Sequence, residues 1–327
     1  MADYNTGHGT TQEIDPAILI KDAVPHPDLY SGAGAVLTPA DVEFFKRQGY
    51  LVKRGVIDDQ ALFDEVLDYL WAQVPRGVLE RDNPASWLNQ PHERWTEDDH
   101  VRVGLLHKGN WKIRSADRIG REAFLIEGIA QHPNMLALAR QFIGEEIKPI
   151  SRVRGIYAIL PKPPAVRGVL GPHADYAAGQ LGAMVVCADM PTGSGGFTVW
   201  PGSHRRLHKA WDTCFGSAMT GANVAAYAEN RDAILADTVP VETHGRPGDV
   251  IFWHHRLLHS AGINRTAATR SPRVRVIVPC DYQAGGKSFY DDEVYGPGAT
   301  YQWWLDTRNF SEDVAPNESN LWQAWSI

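Results

Sequence analysis

The stretch "GDVIFWHHRLLHSAGINRT", residues 248–266, runs from a turn through an apolar segment into three histidines. Gly248-Asp249 is a turn signal. The run from Val250 to Trp253 is β-branched and aromatic and reads as a strand. His254, His255 and His259 follow it closely. Such a cluster is a candidate source of one metal ligand, although for any single member a surface or supporting role is the ordinary expectation. Spacing alone does not choose among the three.

Similar runs surround this stretch. "ISRVRGIYAIL", "LGAMVVCA", "GFTVW", "TVPVETHG" and "RVRVIV" are short, β-branched or aromatic, and bounded by Gly, Pro, Asn or Asp. They occupy the chain from residue 148 onward without βαβ alternation. Helical patterns come before them. That order predicts a mainly β fold with flanking helices: an antiparallel core, closed as a barrel or a double-sheet jelly roll.

The N-terminal half is read from its punctuation. Thr38-Pro39-Ala40-Asp41 is a helix start, with a capping hydroxyl, a proline at the first helical position and an acid in the first turn. "GYLVKRG" reads as a strand. Asp58 or Asp59 caps a second helix, whose stripe is Leu62, Phe63, Val66, Leu70 and Val74. Residues 80–115 have weak periodicity and are expected to be a long loop region. Two further helices are expected over 115–131 and 132–144. Residues 1–35 read as an extended or poorly ordered arm. Pro25 and Pro27 argue against a strand there. Residues 36–327 are expected to be a single catalytic domain with helical decoration.

Composition narrows the function. Of the 327 residues, 43% are hydrophobic and 22% charged, which is ordinary for a folded soluble chain. The formal net charge of −7 argues against a general nucleic-acid or anionic-membrane binder. Cys187, Cys214 and Cys280 are too few for a disulfide framework or a Cys-rich zinc site, which fits a reducing, cytoplasmic compartment. There is no long apolar run and no leader pattern at the N-terminus. Four of the 11 tryptophans, Trp303, Trp304, Trp322 and Trp325, fall near the C-terminus and predict a docked segment.

A histidine and a carboxylate two residues apart occur twice, at His26-Pro27-Asp28 and at His173-Ala174-Asp175. Two copies are near chance. The first lies in the proline-rich arm. The second follows an apolar run in the β region, where strand alternation would aim both side chains to one face. A catalytic metal needs a third ligand from elsewhere, and two histidines with one carboxylate suit non-haem Fe(II).

Several blocks in order resemble the phytanoyl-CoA dioxygenase family of Fe(II)/2-oxoglutarate oxygenases. They are "LTPADVEFFKRQGYLVKRGVI" (37–57), "GPHADY" (171–176), "GSGGFTVWPGSH" (193–204) and the opening stretch. The resemblance spans roughly residues 37–283 and implies a double-stranded β-helix, or jelly-roll, core with N-terminal helices. It implies His173, Asp175 and His259 as ligands of Fe(II), with 2-oxoglutarate and O₂ as cosubstrates. It also implies a buried arginine for the far carboxylate of 2-oxoglutarate, since a guanidinium matches a carboxylate in bidentate fashion. Arg275 fits the final-strand pattern in "VRVIVPCDYQ", with Arg270 and Arg273 as alternatives. Tyr157 and Thr198 are candidate hydrogen-bonders to the cosubstrate. Trp200 and Trp253 are candidates for the cavity wall or the core. His204 and Gly202 read as a structural turn, and "GSGG" reads as a turn rather than a phosphate cradle.

The implied reaction decarboxylates 2-oxoglutarate to succinate and CO₂ and oxidises a substrate C–H. Related halogenases replace the ligating carboxylate by a small residue, so Asp175 favours hydroxylation. The substrate expected is a free small molecule, for instance of secondary metabolism, rather than an acyl-CoA. Residues 80–115 and 205–240 are the expected lid. Two other readings use the same barrel: a cupin-like metal-dependent oxidase or isomerase that does not use 2-oxoglutarate, and a non-enzymatic small-molecule binder. Only the 2-oxoglutarate-dependent reading requires the buried arginine.

Overall fold

The computed structural model describes residues 17–27, 34–74, 79–88, 106–107, 110–113, 119–162, 170–174, 181–207 and 221–282, together with residues 14 and 77. The C-terminal tryptophans Trp303, Trp304, Trp322 and Trp325 lie outside these residues, as do Asp175, Asp28 and Cys214.

Twelve described strands form two sheets. They are β1 (Val24–Pro25), β2 (Tyr50–Lys53), β3 (Leu106–His107), β4 (Asn110–Ile113), β5 (Ile156–Ile159), β6 (Leu170–His173), β7 (Leu181–Val186), β8 (Phe197–Val199), β9 (Val241–Glu242), β10 (Val250–His254), β11 (His259–Ala261) and β12 (Arg275–Tyr282). The larger sheet has the order β2-β10-β7-β12-β5-β4-β3, and the smaller has β1-β9-β8-β11-β6. All pairings are antiparallel except β1 with β9. This is the expected jelly-roll core.

Helices α1 (Pro39–Gln48), α2 (Gln60–Ala72), α3 (Pro84–Leu88), α4 (Ala123–Leu125) and α5 (Pro133–Ile143) precede the strand-rich half, while α6 (Ser203–Leu207) and α7 (Gly221–Asp237) sit between β8 and β9. The caps are those the sequence announces. Thr38 and Asp41 form a capping box on α1, and the Asp59 carboxylate accepts the Leu62 N–H on α2.

The larger sheet is buried on both faces. Val250 and Phe252 of β10, Val185 of β7 and Val276 and Val278 of β12 face a core shared with Phe45, Val66, Leu70, Leu138 and Phe142 of the helices. The alternate residues Ile251, Trp253, Met184, Val186 and Ile277 face inward, against Phe197 and Val199 of the smaller sheet. Two buried faces explain why "VIFW" and "AMVV" read as unbroken apolar runs rather than alternating ones. Each large side chain so buried contributes about 1.5–3 kcal/mol.

Three expectations are corrected. Residues 80–115 are not only loop: α3 and the β3–β4 hairpin lie there, and β4 extends the larger sheet by pairing with β5. Weak side-chain periodicity concealed a strand whose partner is remote in sequence. The helix expected over 115–131 is short, with α4 widening into a π turn at Ile126–Ala130. The segment with Pro25 does include a strand, because β1 sits at the sheet edge, where a proline costs little. Just beyond it, His26 is buried with its Nδ1 3.2 Å from the Tyr50 hydroxyl.

Polar groups fasten these layers. Asp249, of the opening turn, accepts hydrogen bonds from Arg54 Nη1, Gly55 N and Arg246 N, each at 2.9 Å. Lys53, on the helix-facing side of β2, is buried with Asp41 at 3.3 Å and donates to Val36 O at 2.8 Å. His204 is buried with Nε2 donating to Lys46 O at 3.0 Å, and Gly202 N–H donates to Gln48 O at 2.8 Å. The "PGSH" turn is thus pinned to the end of α1, a structural role.

Two stability predictions follow from these fastenings. Lys53→Ala leaves Asp41 buried without its cation, so the denaturant midpoint should fall by the equivalent of roughly 3–5 kcal/mol. Burial holds the His204 imidazole neutral, down to about pKa 4. The unfolded chain takes up that proton near pH 6.5 and the folded chain only near pH 4, so stability falls as pH falls through this window. Urea titrations should show a loss of roughly 3 kcal/mol across it, which His204→Gln removes. An equal pH slope in both proteins would refute the assignment.

Candidate active site

The site is built on the pairing of β11 with β6. His259 is the register partner of His173, and their ring centroids are 4.5 Å apart. The register shifts between His259 and Ala261, so β6 carries one more residue than β11 over the same span. Gly171, at φ +43°, takes the left-handed conformation this irregularity needs.

Both imidazoles are held alike. His173 Nδ1 lies 2.7 Å from Gly171 O, and His259 Nδ1 lies 2.8 Å from Leu257 O. A carbonyl oxygen only accepts, so each Nδ1 is the donor, and in the neutral ring Nε2 is then the coordinating nitrogen. This is how metal-ligating histidines are oriented. The pair therefore suits a divalent first-row metal. β6 stops at His173, so strand alternation does not place Asp175, which lies outside the described residues. Accordingly, no group of three potential metal ligands occurs among the described residues.

The other two histidines of the cluster go elsewhere. His254 Nδ1 accepts the Arg256 N–H at 3.1 Å, and its ring packs on His204 at 5.2 Å and stacks on His255 at 4.5 Å. The β10 alternation turns His254 to the side of Phe252, away from Trp253.

Aromatic rings wall the histidine pair. Phe197 lies 4.9 Å and Trp253 5.9 Å from the His259 ring. The Trp253 indole lies flat across Gly182, where an added Cβ would fall 2.2 Å from a ring carbon. Behind it, the Arg154 guanidinium stands 5.8 Å from the indole centroid and is held in bidentate fashion by Asp281 at 2.7 and 2.6 Å. Trp200 instead packs with Leu207, Tyr227, Ile234 and Leu258.

The three candidate arginines separate by burial. Arg270 and Arg273 are exposed, whereas Arg275 is 2% exposed. Arg275 and Ile277 share the inner face of β12, and Tyr157 is the partner of Ile277 on β5. Arg275 Nη1 donates to Gly195 O at 2.9 Å, and its buried Nε has no hydrogen-bond partner. Burial pushes its pKa down to about 9, against an opposing effect of Glu242. A buried guanidinium with an unmet donor fits a carboxylate ligand. Gly195 lies in the turn just before β8, whose last residue Val199 is the partner of His259, so Arg275 meets the smaller sheet's side at the opposite end of β8 from the histidines.

Two supports of Arg275 carry little signal in the sequence. Asn264 Nδ2 donates to Ile159 O at 3.0 Å and Arg273 O at 2.7 Å, clasping the ends of β5 and β12 around Arg275. Glu242 accepts the Gly195 and Gly196 N–H groups at 3.1 and 2.8 Å, and burial raises its pKa. "GSGG" is thus a turn whose amides rest on a carboxylate. Thr198 is buried on the other face of β8 from Phe197 and Val199, with Oγ1 3.2 Å from Gly196 O. It is turned away from the histidine pair. A separate cleft of about 630 Å³, lined by Arg54, His244, Arg246, Asp249 and Arg273 among others, opens at the other end of β10.

The fold is a jelly roll whose interior carries a histidine pair and a buried arginine. The model of the family "Phytanoyl-CoA dioxygenase (PhyH)" matches residues 45–271, and the chain belongs to that family. The family uses Fe(II), 2-oxoglutarate and O₂. No curated protein sequence matches the chain.

Solved structures with a similar fold include the α-ketoglutarate-dependent carbocyclase SnoK from nogalamycin biosynthesis, at 18% identity and TM-score 0.46, covering 77% of this chain and 87% of that one. The epimerase SnoN of the same biosynthesis matches at 23% identity and TM-score 0.40, covering 80% and 91%. HygX from Streptomyces hygroscopicus, solved with nickel and 2-oxoglutarate bound, matches at 13% identity and TM-score 0.43, covering 78% and 91%. No helix among the described residues is long and apolar enough to cross a membrane.

The Asn264 clasp is testable. Asn264→Ala leaves buried carbonyls unpaired, so a loss of roughly 1–3 kcal/mol is expected in urea titration. Asn264→Asp, which keeps the acceptor oxygen for Thr266 but loses the donors, should fare no better. An unaffected midpoint in both variants would dismiss the clasp.

Proposed function

We propose that the chain is an Fe(II)/2-oxoglutarate-dependent dioxygenase that hydroxylates, or otherwise oxidises at an unactivated C–H, a small organic molecule, with release of succinate and CO₂. The observation that carries this reading is the interior itself, with the His173–His259 pair and the buried Arg275 spaced along it. His173 and His259 would hold Fe(II) through Nε2, with Asp175 as the carboxylate ligand. Arg275 would take the far carboxylate of 2-oxoglutarate, and Tyr157, on the same interior face, would hydrogen-bond it. When bound, iron and 2-oxoglutarate supply the oxidising power for C–H cleavage.

The protein's own contribution is positional. Gly171 O and Leu257 O hold the imidazole tautomers. Phe197 and Trp253 keep water from the reacting centre. Asp175 retains a carboxylate at the metal, which favours oxygen transfer over halogenation. Residues 36–327 act as one catalytic unit preceded by the arm. The net charge of −7 supports a free small molecule, such as a natural product, over an acyl-CoA. The buried thiols Cys187 and Cys280 support a reducing, cytoplasmic setting.

The test is anaerobic 2-oxoglutarate binding to the Fe(II)-loaded protein, followed by succinate release on admitting O₂. Arg275→Ala should raise the Kd for 2-oxoglutarate at least about tenfold, the loss of one charge-assisted pair. Arg270→Ala should leave it unchanged. His259→Ala should abolish succinate release. Wild-type protein that binds Fe(II) but not 2-oxoglutarate would favour the cupin-like oxidase or isomerase instead.

A further inference from the structure

The backbone between the two proposed ligands of the "HAD" motif is held from outside the sheets. The β6 ladder ends at His173, so the next amide, that of Ala174, lies beyond the strand. Ala174 is buried, and its N–H donates to the Tyr227 hydroxyl at 3.0 Å. Tyr227 belongs to α7, the long helix inserted between β8 and β9. Its ring is buried among Trp200, Leu207, Ile234, Leu235 and Leu258, and Ile14, Ile18 and Ile20 of the N-terminal arm pack on the same cluster. The hydroxyl is therefore set by the packing of its ring in this hydrophobic socket.

The amide it holds is the peptide link between His173 and Ala174. Fixing that plane sets ψ of His173 and φ of Ala174, two torsions that relate the His173 side chain to whatever residue 175 presents. A metal site requires its ligands within a few tenths of an ångström of their positions, and it reaches this only when the supporting groups are themselves locked. We infer that Tyr227 is a positioning residue for the metal motif: its hydroxyl, seated by the α7 socket, holds the His173–Ala174 peptide in the ligating conformation. The inference rests on the reading of His173 and Asp175 as ligands. It gives the inserted helix α7 a second purpose besides covering the fold, since the helix and the arm packed on it reach the metal motif through this hydrogen bond.

Tyr227→Phe tests this cleanly because it removes only the oxygen and keeps the ring in its socket. The probe is Co(II) alone, titrated calorimetrically into metal-free full-length protein without 2-oxoglutarate. The comparison set is wild type, Tyr227→Phe and His259→Ala. The expected result is a Co(II) Kd raised about tenfold or more in Tyr227→Phe, with loss of binding in His259→Ala. Amide hydrogen exchange in the peptide containing Ala174 should quicken in Tyr227→Phe, while exchange in β7 and β10 stays as in wild type. That pattern separates local positioning from general loss of stability.

An unchanged Co(II) Kd in Tyr227→Phe, with binding lost in His259→Ala, overturns the inference and leaves the metal site standing. Wild-type Co(II) binding in His259→Ala overturns the metal reading itself, and the inference with it. Should Tyr227→Phe be too unstable to titrate, Ile234→Ala serves in its place. It loosens the socket while keeping the hydroxyl, and an unchanged Kd there also counts against the inference.

Discussion

The antiparallel pairing of β11 with β6 is the contact on which the site depends. It sets His259 opposite His173 across two strands remote in sequence. A slip of one residue would turn one imidazole to the other face, because side chains alternate along a strand. The extra residue in β6 and the left-handed Gly171 make the pairing irregular at this point. At the register pair itself the rings stand 4.5 Å apart. The neighbouring strands secure the register: β8 pairs with β11 residue for residue from His259 to Ala261, and the Leu258 N–H donates to the Ser203 hydroxyl at 2.8 Å.

Around this contact the interior is graded from one end to the other. Near the histidines it is aromatic, with Phe197 and Trp253 against His259. Toward the start of β12 it ends in the Arg275 guanidinium, whose burial is partly offset by Glu242 and by Gly195 O. A cation placed so deep is costly unless something negative meets it. In the function proposed, that negative group is the far carboxylate of 2-oxoglutarate. Asn264 and Thr266, close in sequence to His259, hold the β5 and β12 ends that frame Arg275. One short segment thus serves both ends of the interior.

The helices contribute at one remove. Lys53 and Asp41 tie α1 to β2, His204 ties α6 to the end of α1, and Tyr227 ties α7 to the residue after His173. In each case a polar group closes an amide, carbonyl or charge that burial would otherwise leave unmet. Family membership, drawn from residues 45–271, covers the segment in which most of these fastenings lie.

Much of this was legible in the residues alone. Caps at Thr38 and Asp59, the apolar stripe of α2 and the short β-branched runs are local signals, and each became the element it announced. The blocks containing His173, His259 and "PGSH" also stood in a recognisable order. Spacing alone left open which of three histidines meets His173 and which of three arginines is buried; the family resemblance pointed to His259 and favoured Arg275. The residues alone also gave no sign of the β3–β4 hairpin, the edge strand at Val24–Pro25, or Tyr227 beside Ala174. These are matters of register and burial between segments far apart in the chain. Local periodicity records which face a side chain takes within its own element, but only the assembled sheets decide what that face meets.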